Sequence, residues 1–162
     1  AGPVPDADQL VERVVAGVVE AVWQHACLKP GAIGALDLCA RYGLVTALAS
    51  GSARPVIDAV LERFDLASRF AAVCTSADDP YGKPHPAVFL RAAEQVGVGA
   101  LRCVVVEDSL LGCVAAKAAS MRVIAVPEKE AVHDPGLAIA DLILRSLEEL
   151  AGLPTLGVLG LR

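Results

Sequence analysis

From Leu10 onward apolar residues recur in pairs, Leu10/Val11, Val14/Val15, Val18/Val19 and Val22/Trp23, with Glu12, Arg13 and Glu20 lying outside them. That spacing puts the pairs on one face of a helix, so the segment predicts a long amphipathic helix in need of a partner surface. Asp6-Ala7-Asp8 precedes it and reads as a capping sequence. After the break at Lys29-Pro30-Gly31, short helical patterns alternate with short continuous apolar runs. Helices are predicted over Ala32 to Tyr42, Arg54 to Phe64, Ala87 to Val96 and Leu110 to Met121. Strands are predicted over Leu44 to Ala49, Phe70 to Thr75, Arg102 to Val106, Arg122 to Val126 and Asp141 to Leu144. A β-branched run such as Val104-Val105-Val106 reads as a strand buried on both faces. Ser146 to Leu150 reads as a helical turn, and the Gly/Pro-interrupted apolar segment Gly152 to Arg162 has no period that places it.

Strand-helix units in succession specify an α/β fold, a doubly wound parallel sheet with right-handed crossovers. Composition agrees: 162 residues are enough for one domain with a substantial core, and 55% hydrophobic against 4% aromatic residues suits Ala-, Val- and Leu-rich helices packed on a buried sheet. A net charge of −5 without any Lys/Arg block points away from nucleic acid and anionic membranes as partners, and toward a small molecule. Five cysteines are an odd number without a C-x-x-C pair, which predicts reduced, buried thiols. The three histidines lack zinc-ligand spacing. No apolar run reaches membrane-spanning length and the N-terminus lacks a signal-peptide layout, so a soluble, cytoplasmic protein is expected.

The chemistry collects where the predicted strands end. Val104 to Val106 stops at Glu107-Asp108, and the carboxyl edge of a parallel sheet is where ligands bind; two adjacent acids there suit a hard cation such as Mg²⁺. Capping of the next helix by Asp108 or Ser109 explains one acid but not both. Leu44 to Ala49 stops at Ser50-Gly51-Ser52, whose hydroxyls and backbone N–H groups can hold an anion, although a plain turn has the same composition. Phe70 to Thr75 leads into Ser76 to Pro86, dense in turn formers, where Lys83 lies between Gly82 and Pro84, which fixes the backbone on one side of its ammonium group. Hydroxyl, ammonium and acidic pair at three successive strand ends together predict phosphoryl chemistry. Ser50, Gly51, Ser52 and Lys83 would take the phosphoryl oxygens, and Glu107 and Asp108 a Mg²⁺ ion.

These motifs resemble the haloacid dehalogenase superfamily. Leu48-Ala49-Ser50-Gly51-Ser52 is similar to the family's second motif, which implies a phosphoryl-binding and catalytic role for Ser50. Tyr81-Gly82-Lys83-Pro84-His85-Pro86 is similar to the third, implying that Lys83 neutralises phosphate and nucleophile. Val106-Glu107-Asp108-Ser109-Leu110-Leu111-Gly112 resembles the fourth, implying Asp108 as principal Mg²⁺ ligand with Glu107 supporting or sharing that role. The resemblance runs from about Leu10 to Leu150 and implies a Rossmannoid three-layer α/β/α parallel sheet. Through Ala118 to Arg122, Asp134-Pro135 and Ala140-Asp141 it is nearest to sugar-phosphate phosphatases of the 2-deoxyglucose-6-phosphatase and hexitol phosphatase type. Phosphoglycolate phosphatase and β-phosphoglucomutase are more distant. A phosphoric monoester hydrolase acting on a small phosphorylated substrate through an aspartyl phosphate is thereby implied.

One motif is missing. The family's first, an apolar strand ending D-x-D-G, supplies the nucleophilic Asp and the acid/base Asp. Asp6-Ala7-Asp8 has the spacing but neither the preceding strand nor the following Gly. The resemblance therefore implies a member that begins inside its helical cap, with residues 1–28 as cap remnant and 29–162 as α/β core, lacking the strand between those ending at Ala49 and Val106. Such a chain is expected to be inactive as it stands and open to self-association through exposed strands. A non-catalytic phosphate-binding or regulatory relative is the alternative. A receiver domain is excluded because there the acidic pair ends the first strand and Lys-Pro comes last; a dinucleotide-binding domain would need G-x-G-x-x-G.

Overall fold

The computed structural model describes residues 6–152, and within them helix and strand alternate as the periodicity predicts. The order is α1 (Ala7–His25), α2 (Ala32–Arg41), β1 (Ala47–Ser50), α3 (Arg54–Arg63), β2 (Ala72–Thr75), α4 (Ala87–Gln95), β3 (Val104–Glu107), α5 (Leu110–Ala118), β4 (Arg122–Ala125) and β5 (Leu142–Ile143), with 3₁₀ turns between and after them. The strands are shorter than the apolar runs that predict them. Leu44, Val45 and Phe70 lead in without ladder pairing, which hydropathy alone does not distinguish from the ladder itself. The helical turn expected near Ser146 is the 3₁₀ helix Leu147–Gly152, and most of the apolar segment after it lies outside the described residues.

All pairing is parallel, as strand-helix-strand crossovers require. The strands nevertheless form two sheets, β1-β2 and β3-β4-β5. Ala47 to Ser50 run beside Ala72 to Thr75, and Val104 to Glu107 beside Arg122 to Ala125, leaving β1 and β3 each with one side unpaired among the described residues. One helical layer ties the two together. α4 packs on β1 and β2, α5 on β3 and β4, and the helices meet each other. Side chains alternate faces along each strand. Ala47, Ala49, Cys74, Val105 and Val123 join Val88, Phe89 and Cys113 in the core under α4 and α5. Leu48 and Val73 point the other way, onto Ile57 and Leu61 of α3, and Val104 and Ile124 onto Ala35 and Leu38 of α2. Fully burying a Val or Phe side chain contributes about 1.5–3 kcal/mol, so this shared core is what holds the unjoined sheets in one body.

Val106 and the apolar face of α1 share one feature, a side without a neighbour among the described residues. Val106 is 47% exposed, because beyond it lies the open interval beside β1. On α1, which packs against α3, Val22 is buried while Leu10, Val11, Val14 and Val18 stay exposed. Asp6 takes the N-cap position of α1 without a side-chain capping bond. All five cysteines are free, and Cys27 is exposed where burial was expected. No helix among the described residues is long and apolar enough to cross a membrane.

Asp141 fastens α5 to the second sheet. Lys117 Nζ donates to both of its carboxylate oxygens at 2.9 Å, and Val123 N–H donates to Oδ2 at 2.7 Å. The Lys117 hydrogen bond, helped by Val123 N–H and the Lys117 and Arg122 charges, outweighs burial and holds the Asp141 carboxyl below its ordinary 3.8. A depressed carboxylate contributes stability that is complete above the unfolded value and lost as pH falls through the folded one. Asp141→Asn should therefore lower the melting temperature at pH 7, and the gap from wild type should close below about pH 3.8; melts across that range measure it. The two unpaired parallel edges predict association or low stability, and size-exclusion chromatography with thermal melting should show one or the other. A monodisperse monomer with a cooperative mesophilic melt is the opposite outcome.

Candidate active site

Three chain segments deliver polar groups to the carboxyl ends of β1 and β3. β1 ends at Ser50, whose Oγ accepts a hydrogen bond from Ser52 N–H at 3.1 Å and so folds the Ser50-Gly51-Ser52 turn back on itself. The turn is secured from β2: Thr75, 2% exposed, donates its hydroxyl to Ser52 O at 2.5 Å. From the loop after β2, Lys83 reaches across the interval between the sheets. Its Nζ lies 2.6 Å from Glu107 Oε2 and 3.5 Å from Ala49 O, and 4.8 Å from the centre of the Phe89 ring. The Lys83 and Glu107 side chains are only 15% and 9% exposed, so this is a buried ion pair.

Glu107 and Asp108 take different surroundings. Glu107 Oε1 accepts from Ser109 Oγ at 2.9 Å, and the side chain lies against the first turn of α5. Only glycine permits this at position 112, where a Cβ would come within 2.0 Å of Glu107 Cδ. Ser109 is the residue that caps α5, its Oγ accepting from Gly112 N–H at 3.0 Å. Capping therefore occupies neither acid, and the Asp108 side chain remains 53% exposed at the rim. Lys29 Nζ stands 3.3 Å from Asp108 Oδ2 and 2.8 Å from Glu128 Oε1. Burial works against charge on Asp108, but the Lys29 hydrogen bond and charge outweigh it and hold the carboxyl below its ordinary value. Burial likewise lowers the Lys29 ammonium, and Glu128 and Asp108 more than reverse that.

Lys29 was not among the residues the sequence singles out. It sits in the linker between α1 and α2, held by Gly31, whose φ of +84° and lack of a side chain let it meet the backbone of Glu148, which a Cβ would approach to 2.3 Å. No local pattern marks it, because its contact with Asp108 spans 79 residues of sequence. Ser50, Gly51, Ser52, Lys83, Glu107 and Asp108 all line one open trough of about 550 Å³, together with Lys29, Leu48 and Val106. Asp6 and Asp8 open α1 and do not line it. A second cleft of about 650 Å³, lined by Lys117, Arg122 and Asp141, contains none of these residues.

Such an arrangement can bind a tetrahedral oxyanion: a hydroxyl and a backbone turn on one side, an ammonium across from it and a half-exposed carboxylate at the rim. The Gly112 contact makes a sharp test. Helix propensity alone favours Gly→Ala by about 1 kcal/mol, whereas forcing a side chain into filled space costs about 1–3 kcal/mol. Gly112→Ala should therefore be net destabilising in urea unfolding, and should become stabilising in a Glu107→Ala background, where the obstruction is gone.

Comparison with known proteins identifies the family. A family model described as a hydrolase, haloacid dehalogenase-like hydrolase, matches residues 2–120. Hexitol phosphatase B of Escherichia coli K12 is 43% identical over 153 residues, which covers 94% of this chain and 69% of that protein. The structure of CbbY from Rhodobacter sphaeroides in complex with phosphate superposes with a TM-score of 0.83 at 27% identity, covering 95% of this chain and 72% of that one. The β-phosphoglucomutase of Clostridium difficile shares the fold, with a TM-score of 0.73 at 24% identity over 89% of this chain and 60% of that one. On the matched family model, the identity with a phosphatase and the arrangement of the strand-end residues, the chain belongs to the haloacid dehalogenase-like hydrolase family, among its phosphatases.

Proposed function

We propose that the trough binds the phosphoryl group of a small sugar phosphate of the hexose or hexitol type, and that the site is the phosphate- and metal-binding part of a Mg²⁺-dependent phosphatase. The observation that carries this is Lys83, buried between Ala49 O and Glu107 with Ser50 and Asp108 at either side of the same opening. The identity with hexitol phosphatase B supports the substrate class.

In this reading Ser50 and the turn behind it orient the phosphoryl group, and Lys83 offsets its charge from a position fixed before the ligand arrives. Mg²⁺ takes one or two protein carboxylates and completes its shell with water and phosphate oxygens, and Asp108, with Glu107 behind it, fits that donor chemistry. When bound, the ion would neutralise charge on the phosphoryl oxygens. The described residues hold no cluster of three or more His, Cys, Asp or Glu side chains able to enclose a metal by themselves, so affinity depends on the phosphate. No D-x-D-G strand occurs in the 162 residues, and the acids of the trough, Glu107 and Asp108, are engaged by Lys83 and Lys29. These residues alone bind phosphate without turning an ester over, which is also the property a non-catalytic, phosphate-sensing relative would have.

Calorimetric titration of Mg²⁺ should give affinity on the order of millimolar or weaker, improved by inorganic phosphate and lost in Asp108→Asn. Micromolar Mg²⁺ binding indifferent to Asp108→Asn would place the metal elsewhere. With p-nitrophenyl phosphate and a panel of hexitol phosphates, the 162-residue protein should show no turnover above buffer. In a protein that also carries a D-x-D-G strand, Lys83→Met should cost about 10²-fold or more in kcat.

A further inference from the structure

Lys83 stands near the far end of an irregular loop, Ser76 to Pro86, and a charge that has to meet a phosphoryl oxygen needs firmer placement than a loop by itself supplies. What fixes this loop is outside the trough. Arg91, on α4, donates through Nη1 to Asp79 Oδ1 and through Nη2 to Thr75 O at 2.6 Å. One guanidinium thus joins the residue before the loop, a residue within it, and the helix that follows it. The Asp79 side chain is 8% exposed and its Oδ2 has no hydrogen-bond partner among the described residues, so Arg91 is the cation that balances a buried carboxylate. Thr75 extends the connection, its hydroxyl accepting from Ala77 N–H at 3.0 Å and donating to Ser52 O at 2.5 Å. α4 itself is anchored by Val88 and Phe89 in the core, and Phe89 also carries the Lys83 ammonium over its ring.

We propose that Arg91 is a positioning residue for the phosphate site: with Asp79 and Thr75 it latches the loop bearing Lys83 to the turn bearing Ser50, so that both phosphate-binding groups keep one spacing. The proposal rests on the phosphate-site reading above and adds to it residues that touch no ligand. An arginine suits the task because its planar fork holds its N–H donors in fixed directions toward the carboxylate and the carbonyl, whereas an ammonium is a point charge on a flexible stem. Its removal leaves the Asp79 charge buried without a partner, and the loop is the part free to move in response.

The test combines amide hydrogen exchange at His85, whose N–H donates to Gly82 O in the Lys83 turn, with titration of inorganic phosphate. Arg91→Met should speed His85 exchange by about tenfold or more while Val123 in β4 keeps its wild-type rate. Phosphate affinity should fall by about tenfold or more, and Arg91→Lys should recover part of each effect. In a Lys83→Met background, Arg91→Met should change phosphate affinity no further. If Arg91→Met does not fold, Asp79→Asn, which keeps the shape and removes the charge, should show the same exchange effect. A folded Arg91→Met or Asp79→Asn with wild-type His85 exchange and wild-type phosphate affinity overturns the latch, while loss of affinity in Lys83→Met leaves the site itself standing. Phosphate affinity untouched by Lys83→Met overturns the site reading, and His85 exchange then decides the latch alone.

Discussion

The Lys83–Glu107 ion pair is where fold and chemistry meet. Its two members come from opposite sides of the interval between β1 and β3, and the ammonium also approaches Ala49 O of β1, so one buried contact spans sheets that share no ladder. Breaking a pair this buried by removing one partner typically costs about 3–5 kcal/mol, because the other charge is left without compensation. The same property gives the site its character. A lysine held at low exposure beside a carboxylate is a preorganised cation, its charge fixed in place before any ligand arrives.

Everything near the pair serves to keep it in place. Gly112 leaves room for the Glu107 side chain, Ser109 both caps α5 and donates to Glu107, and Phe89 lies under the Lys83 ammonium. Asp108, one residue further, is left at the rim with Lys29 as its counter-charge. Two neighbouring acids thus have different surroundings, one buried in an ion pair and one half-exposed at the rim.

Much of this was legible in the sequence because strand ends are legible. A β-branched run that stops at Glu107-Asp108, a run that stops at Ser50, and a lysine set between Gly82 and Pro84 are local patterns, and the structure brings all three to one trough. Ladder partners were not legible, since a continuous apolar run fits either edge or interior strands; Val106 reads as buried and is half exposed for want of a neighbour. Lys29 and Arg91 were missed for a different reason. Their importance lies in contacts across 79 residues for Lys29 and with both Thr75 and Asp79 for Arg91, and no local spacing encodes either. The apolar face of α1 reads as needing a partner, and among the described residues α3 covers Val22 fully and Val15 and Val19 in part.

The central claim is that phosphate is held at the carboxyl ends of β1 and β3 and not in the second cleft near Arg122. Mapping backbone amide shifts during titration with phosphate and Mg²⁺ distinguishes the two directly. Shifts concentrated at Gly51, Ser52, Lys83 and Ser109, with Lys117 to Arg122 silent, are the expected result. Shifts concentrated at Lys117, Ser120 and Arg122, with Gly51 and Lys83 unmoved, would contradict it.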